Sequence, residues 1–74
     1  MDIDTLLRQD LDTIQQVLSC SSIGILQRYR GELTRKIRPL AQQAKLRPTE
    51  ALQSEIESYR SVLSLVQTAI VTHH

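Results

Sequence analysis

The residues of this 74-residue sequence that could take part in catalysis do not stand in the spacing of a catalytic site. Cys20 is the single cysteine, and no histidine or carboxylate accompanies it in a pattern that would activate a thiolate nucleophile. Asp10 and Asp12 are two residues apart, which on a helix puts their carboxylates on different faces, so they do not form an acid–base pair. The sequence therefore predicts a protein without catalytic residues, and not an enzyme.

Residues that bind metal ions or cofactors are also scarce. The two histidines, His73 and His74, stand at the end of the sequence, and we interpret them as a frayed tail. A structural zinc site takes four Cys or His ligands, which this sequence does not supply. It also lacks a glycine-rich loop that would bind phosphate. We expect neither a metal ion nor a cofactor.

The sequence has the features of a small cytoplasmic domain. Asp2 and Asp4 stand where a signal peptide would carry basic residues before an apolar run. No run of about 20 apolar residues, the length that crosses a bilayer, occurs. We expect a single domain over 1–74 with an aliphatic core. Because neither a disulfide nor zinc strengthens so small a core, helix packing or association must supply the stability.

The last third of the sequence shows the clearest helical pattern. Between Leu52 and Ile70, apolar residues recur at alternating steps of four and three, which favours a helix packed on a partner helix at a shallow angle. Thr49 is a suitable N-cap, and Glu50 follows it in the first turn, where a negative charge is favourable. The pattern predicts a helix over 49–72.

A second apolar stripe runs from Leu26 to Ala44 and stays in phase across Pro39. Proline inside a helix removes one hydrogen bond and usually kinks the backbone. We expect a helix over 22–45 with a kink near the proline. The alternative is a break at Arg38, with the proline as the first residue of a new turn.

A third stripe, from Ile3 to Leu18, predicts an amphipathic N-terminal helix over 4–18, followed by a turn at 19–22. The connection 46–48 between the two long helices is so short that they must be antiparallel neighbours. The predicted fold is therefore all-α: a short N-terminal helix followed by an antiparallel helical hairpin, which together form a three-helix unit.

Charge is divided into blocks along the sequence. Residues 1–20 carry four aspartates and one arginine, residues 21–48 carry seven basic residues and one glutamate, and residues 49–74 carry three glutamates and one arginine. The topology sets the acidic first helix near the basic second one. The basic block is a solvated or internally paired face, a site for an acidic protein, or a site for nucleic acid. With a pI of about 8.0 and few aromatic rings for stacking, we do not favour nucleic acid.

Apolar side chains exceed what the predicted core needs, above all near the uncharged stretch 61–71. Packing within the three-helix unit accounts for part of that stretch, and we interpret the remainder as a protein-binding surface, since exposed apolar patches often mark interfaces. The predicted contact residues are Ile23, Ile25, Val62, Leu65, Ala69 and Val71, with Arg28 and Arg35 as charges at the rim.

The layout resembles one known family. The segment "IDTLLRQDLDTIQQVL" looks like the amphipathic leader of the small co-chaperones of the type III secretion needle subunit, and "TEALQSEIESYRSVLSLVQTAI" looks like their last helix. The resemblance covers most of the chain and lies in length and pattern. It implies a bacterial cytoplasmic adapter that joins a helical-repeat chaperone and keeps the secreted needle subunit monomeric before export.

Two other functions fit the same pattern. A homodimer, in which two hairpins form a helical bundle, would have a structural or regulatory role, and its mass would show it. A small phage or plasmid regulator would use the basic helix on nucleic acid, and its affinity for duplex DNA would fall steeply with salt.

Overall fold

Four α-helices make up most of the computed structural model, which describes residues 2–72. In chain order they are α1 (Ile3–Leu7), α2 (Leu11–Cys20), α3 (Ile23–Leu46) and α4 (Glu50–Thr72). No β-strand occurs within this described part of the chain. The all-α prediction is confirmed.

The N-terminal segment forms two helices, so the prediction of one helix over 4–18 is wrong. The N–H groups of Arg8 and Gln9 donate to carbonyls three residues earlier, at 3.2 and 3.1 Å, and these tight bonds end α1. Asp10 is extended, and its carboxylate accepts the N–H of Thr13 at 2.8 Å. This side-chain bond satisfies one of the free donors at a helix N-terminus, and a new helix therefore starts here.

The split changes which side chains enter the core. The buried residues of α1 are Ile3 and Leu6, and those of α2 are Ile14 and Leu18. Leu11, which continues the apolar spacing in the sequence, is 58% exposed. The apparently continuous stripe is thus two short stripes on helices that each pack separately.

Helix α3 continues through Pro39, so the alternative of a break at Arg38 is wrong. Its N-cap is Ser22, whose hydroxyl accepts the N–H of Ile25 at 3.4 Å. The proline removes the donor that would pair with the carbonyl of Arg35. Both residues are exposed, so water can reach this carbonyl and the helix persists.

Helices α3 and α4 form the predicted antiparallel hairpin, joined by residues 47–49. Thr49 caps α4 as predicted: its hydroxyl accepts the N–H of Leu52 at 3.1 Å. Glu50 lies in the first turn of α4. Less extensive packing completes the fold: α1 packs on α3, and α2 packs on α4.

One hydrophobic cluster joins all four helices but occupies only part of the hairpin. Its buried members are Ile3, Leu6, Ile14, Leu18, Leu26, Tyr29, Leu33, Val62 and Val66. Toward the connection, the cluster and the half-buried side chains packed on it reach no further than Leu33 on α3 and Tyr59 on α4. Residues 37–58, here called the loop half, lie beyond it. Ile56 is buried in the loop half without belonging to the cluster.

Candidate protein-binding surface at the uncharged end

Two stretches without charged residues meet at one end of the molecule. Residues 13–27 span most of α2 and the start of α3, and residues 61–72 form the C-terminal half of α4. Leu18 from the first stretch and Val66 from the second belong to the same core cluster. We call these two stretches together the uncharged end. The absence of charge from 13–27 is the sequence signal that the analysis of 61–71 alone missed.

A shallow groove of about 380 Å³ runs between α2 and α4 at this end. The residues that line it are Gln15, Leu18, Ser19, Leu65, Thr68, Ala69 and Thr72. The hydroxyls of Ser19 and Thr72 donate to carbonyls of their own helices, at 2.8 and 3.0 Å. The groove therefore combines the apolar side chains of Leu18, Leu65 and Ala69 with uncharged polar ones, a surface suited to the uncharged face of a helix.

Five of the predicted contact residues lie at the uncharged end and are accessible to differing degrees. Val71 is 69% exposed, Ile25 is 45% exposed and Ile23 is 37% exposed. Leu65 and Ala69 are half-buried and line the groove. The structure thus brings these five side chains to one end of the hairpin, where each retains surface for a partner.

Val62 does not belong to this surface. It is 5% exposed and packs in the core cluster, because α2 covers the adjoining part of α4. The prediction that Val62 lies beyond the core and contacts a partner is therefore wrong. A buried side chain of this kind contributes to the stability of the fold and cannot contact a partner directly.

The two predicted rim charges lie at different places. The Arg28 side chain is 79% exposed, and its Nε lies 3.6 Å from Glu32 Oε1. Together with Ile25 it lines a small groove, so it stands at the border of the uncharged end. Arg35 is exposed too, but it lies two helical turns further along α3, roughly 10 Å away at 1.5 Å per residue. The structure does not bring Arg35 to the uncharged end.

The acidic N-terminal segment does pack on the basic helix. Asp4 Oδ1 lies 2.9 Å from Lys36 Nζ, and this hydrogen bond raises the pKa of Lys36. Close by, the hydroxyl of Tyr59 donates to Glu55 Oε1 at 3.2 Å; burial and this bond raise the pKa of the tyrosine. The Asp4–Lys36 pair joins α1 to α3 at the border of the loop half, whereas the Tyr59–Glu55 bond lies within α4.

The residues considered for catalysis or metal binding are not brought together. Cys20 is exposed at the end of α2. Asp10 is an N-cap, and hydrogen bonds from the side chain and the backbone N–H of Thr13 lower its pKa. Within residues 2–72, no three His, Cys, Asp or Glu side chains form a group that could hold a metal ion. The prediction about His73 and His74 lies outside the described residues.

Comparison with known proteins gives no relative for this chain: no protein-family model, curated protein or solved structure matches it. A separate structural finding concerns membranes. None of the helices in the described part of the chain has both the length and the apolar character needed to cross one.

Proposed function

We propose that this protein is a non-enzymatic helical adapter that binds a partner protein at its uncharged end. The observation that supports the proposal is the meeting of residues 13–27 and 61–72, two stretches without charge on which apolar side chains remain exposed. The occupant that fits this end is an amphipathic helix laid along the groove between α2 and α4.

The composition of the uncharged end favours binding that removes apolar surface from water. Removing a charged group from water costs several kcal/mol unless it is paired, and the groove between α2 and α4 is lined by no charged residue; Asp2 and Arg28 lie beside Ile25 at the border of the uncharged end. Covering the exposed parts of Ile23, Ile25 and Val71 removes apolar surface from water, which favours association by about 25 cal/mol per Å² before the costs of association are subtracted. Arg28 at the border would set the orientation of the partner.

The resemblance to the needle-subunit co-chaperones supports a more specific form of the proposal. In that form the partner is a helical-repeat chaperone, and the complex holds the secreted needle subunit monomeric in the bacterial cytoplasm. The adapter would act by mass action, because a protein that binds only the folded partner stabilises it without any chemistry.

The test is co-expression of the chain with a needle subunit and its helical-repeat chaperone, followed by size-exclusion chromatography. We expect a stable complex that Val71→Asp and Ile25→Asp weaken strongly, since each puts a charge into the buried contact. Both side chains are exposed, so these variants should keep their helicity by circular dichroism. Leu46→Asp, which changes an exposed leucine far from the uncharged end, is the matched control and should leave the complex intact.

Each negative outcome has a distinct meaning. Absence of a complex with the wild-type chain contradicts the co-chaperone role. A complex that forms equally well with Val71→Asp and Ile25→Asp contradicts the assignment of the binding surface. A complex lost only with Leu46→Asp would move that surface to the opposite end of the hairpin.

A nucleic-acid function has less support from the structure. Within the basic block, Lys36 is paired with Asp4 and Arg28 is paired with Glu32. These carboxylates would repel phosphate at the places where the basic side chains would have to bind it. We therefore retain the adapter as the proposed function.

A further inference from the structure

The covering helices α1 and α2 end part-way along the hairpin, and we call this change in thickness the step. The proposed adapter function does not involve the surface beyond it. Helices α1 and α2 cover the part of the hairpin that holds the core cluster, and the loop half continues beyond them as two helices. Several side chains of the loop half, including Ile37, Leu40 and Leu52, are only half-buried. The loop half is therefore a two-helix layer with apolar surface still in contact with water.

At the outer corner of this step, which is the tip of the hairpin, two basic residues flank one leucine. Lys45, Leu46 and Arg47 end α3 and begin the connection, and all three residues are exposed. At 83% exposed, Leu46 is the most exposed of the large apolar side chains in the described chain. Neither cation has an ion-pair partner among residues 2–72.

At the inner corner of the step, which is the N-terminal end of α2, two acidic residues flank another leucine. Helix α2 runs in the same direction as α4, since the turn at 21–22 reverses the chain into α3 and the connection at 47–49 reverses it again into α4. Its first residues therefore stand at the border of the loop half, where the covering layer ends. There Asp10 and Asp12 flank Leu11, all three residues are exposed, and Leu11 is 58% exposed.

The two corners have the same order of charged and apolar residues and charges of opposite sign. One presents a cation, a leucine and a cation at 45–47; the other presents a carboxylate, a leucine and a carboxylate at 10–12. Within one chain they lie at opposite ends of the loop half, about 14 Å apart along the helix axis, since residues 37–46 span nine steps of about 1.5 Å. They cannot meet in the same molecule, but a second copy turned through 180° brings each corner to its counterpart.

We propose that the loop half is the interface of a symmetric dimer, and that its occupant is the loop half of a second copy of this chain. The tip of each hairpin, residues 45–47, docks against the N-terminal turn of α2, residues 10–12, of the other copy. The same contact forms twice, as a two-fold axis requires.

The dimer also balances the remaining charges of the loop half. Between residues 37 and 58, the charged residues of α3 are Arg38 and Lys45, and those of α4 are Glu50, Glu55 and Glu57, with Arg47 in the connection. The loop half therefore has no net charge, so its apposition with a copy brings no net repulsion. The uncharged ends lie at the far ends of such a dimer and stay free for partners.

The experiment is a charge-reversal cycle on the full chain, read as mass by light scattering and as dimer affinity by sedimentation at a series of concentrations. We expect a wild-type species of twice 8.4 kDa. Arg47→Glu and Asp12→Arg should each weaken the dimer by about tenfold or more, because each puts like charges into contact. The double variant, which exchanges the two charges, should restore most of the lost affinity.

Two further variants complete the design. Leu46→Ser should also weaken the dimer, and because the leucine is exposed in the single chain, helicity should be retained. Arg30→Glu, a reversal of an exposed charge on the covered half of α3, is the matched control and should leave the affinity unchanged.

Three results would overturn the proposal: a wild-type chain that stays monomeric up to millimolar concentration, single reversals no different from Arg30→Glu, or a double variant without restored affinity. The result is separable from the adapter function. Val71→Asp should leave the dimer intact, and a monomeric Leu46→Ser chain should still bind a partner at the uncharged end.

Discussion

Asp10 is the residue at which the N-terminal segment changes from one helix to the next. Its carboxylate accepts the N–H of Thr13, and its extended backbone ends the turn that follows α1. An aspartate inside a continuous helix would leave its side chain in water. Here the side chain caps a second helix, and the exposed position of Leu11 follows from that change of direction.

The capping role of Asp10 predicts a pH dependence. Its hydrogen bonds with Thr13 hold the pKa of the folded carboxyl below its usual value, so the stabilisation is present above the unfolded pKa of about 3.9 and is lost as pH falls through the folded pKa. Asp10→Asn keeps a capping oxygen that does not titrate. The stability difference between wild type and this variant, measured by urea unfolding, should shrink in acid below about pH 4; a constant difference contradicts this role.

Gly31 gives a second prediction for a single residue. It lies within α3, and a Cβ built on it would meet no atom within 4 Å. Gly31→Ala should therefore stabilise the chain by about 1 kcal/mol, the difference in helix propensity, as measured by thermal or urea unfolding. If the variant is stabilised but binds its partner more weakly, then a partner backbone lies against this position. A loss of stability would contradict the open space around it.

Among the helices, the two long ones were predictable within a residue or two. Their apolar stripes extend over five or six turns, and Thr49 gives a clear cap, so the pattern outweighs local ambiguity. The N-terminal segment was not predictable from spacing, because Leu11 continues the stripe while Asp10 interrupts the helix. The burial of Val62 was also missed, since it depends on where α2 packs along α4.

Leu33 tests the role of α3 in the core. It is fully buried in the cluster, and truncation of such a leucine costs about 2–5 kcal/mol. A core of this size seldom supplies more than about 3–5 kcal/mol, so Leu33→Ala should leave a large fraction of the chain unfolded by circular dichroism. Val71→Ala, at an exposed position, should change stability by less than about 0.5 kcal/mol. Equal effects would contradict the assignment of the core.

For the whole molecule, the central feature is a single core confined to one half of a hairpin. This half contains the charge-free residues 13–27 and 61–72, and it presents the groove proposed for a partner. The loop half carries the balanced charges and the exposed leucine proposed for the dimer. The sequence indicates this division through its two charge-free stretches, but the relation of the two halves depends on the packing of α1 and α2.

The measurement that tests this division most directly is hydrogen exchange on the Leu46→Ser chain, which the dimer proposal predicts to be monomeric. Local stability follows burial, so the slowest amides should lie in residues 26–36 of α3 and 59–70 of α4. Residues 40–46 and 50–56 should exchange markedly faster. Equal protection along the whole hairpin, or stronger protection in the loop half, would contradict the confinement of the core.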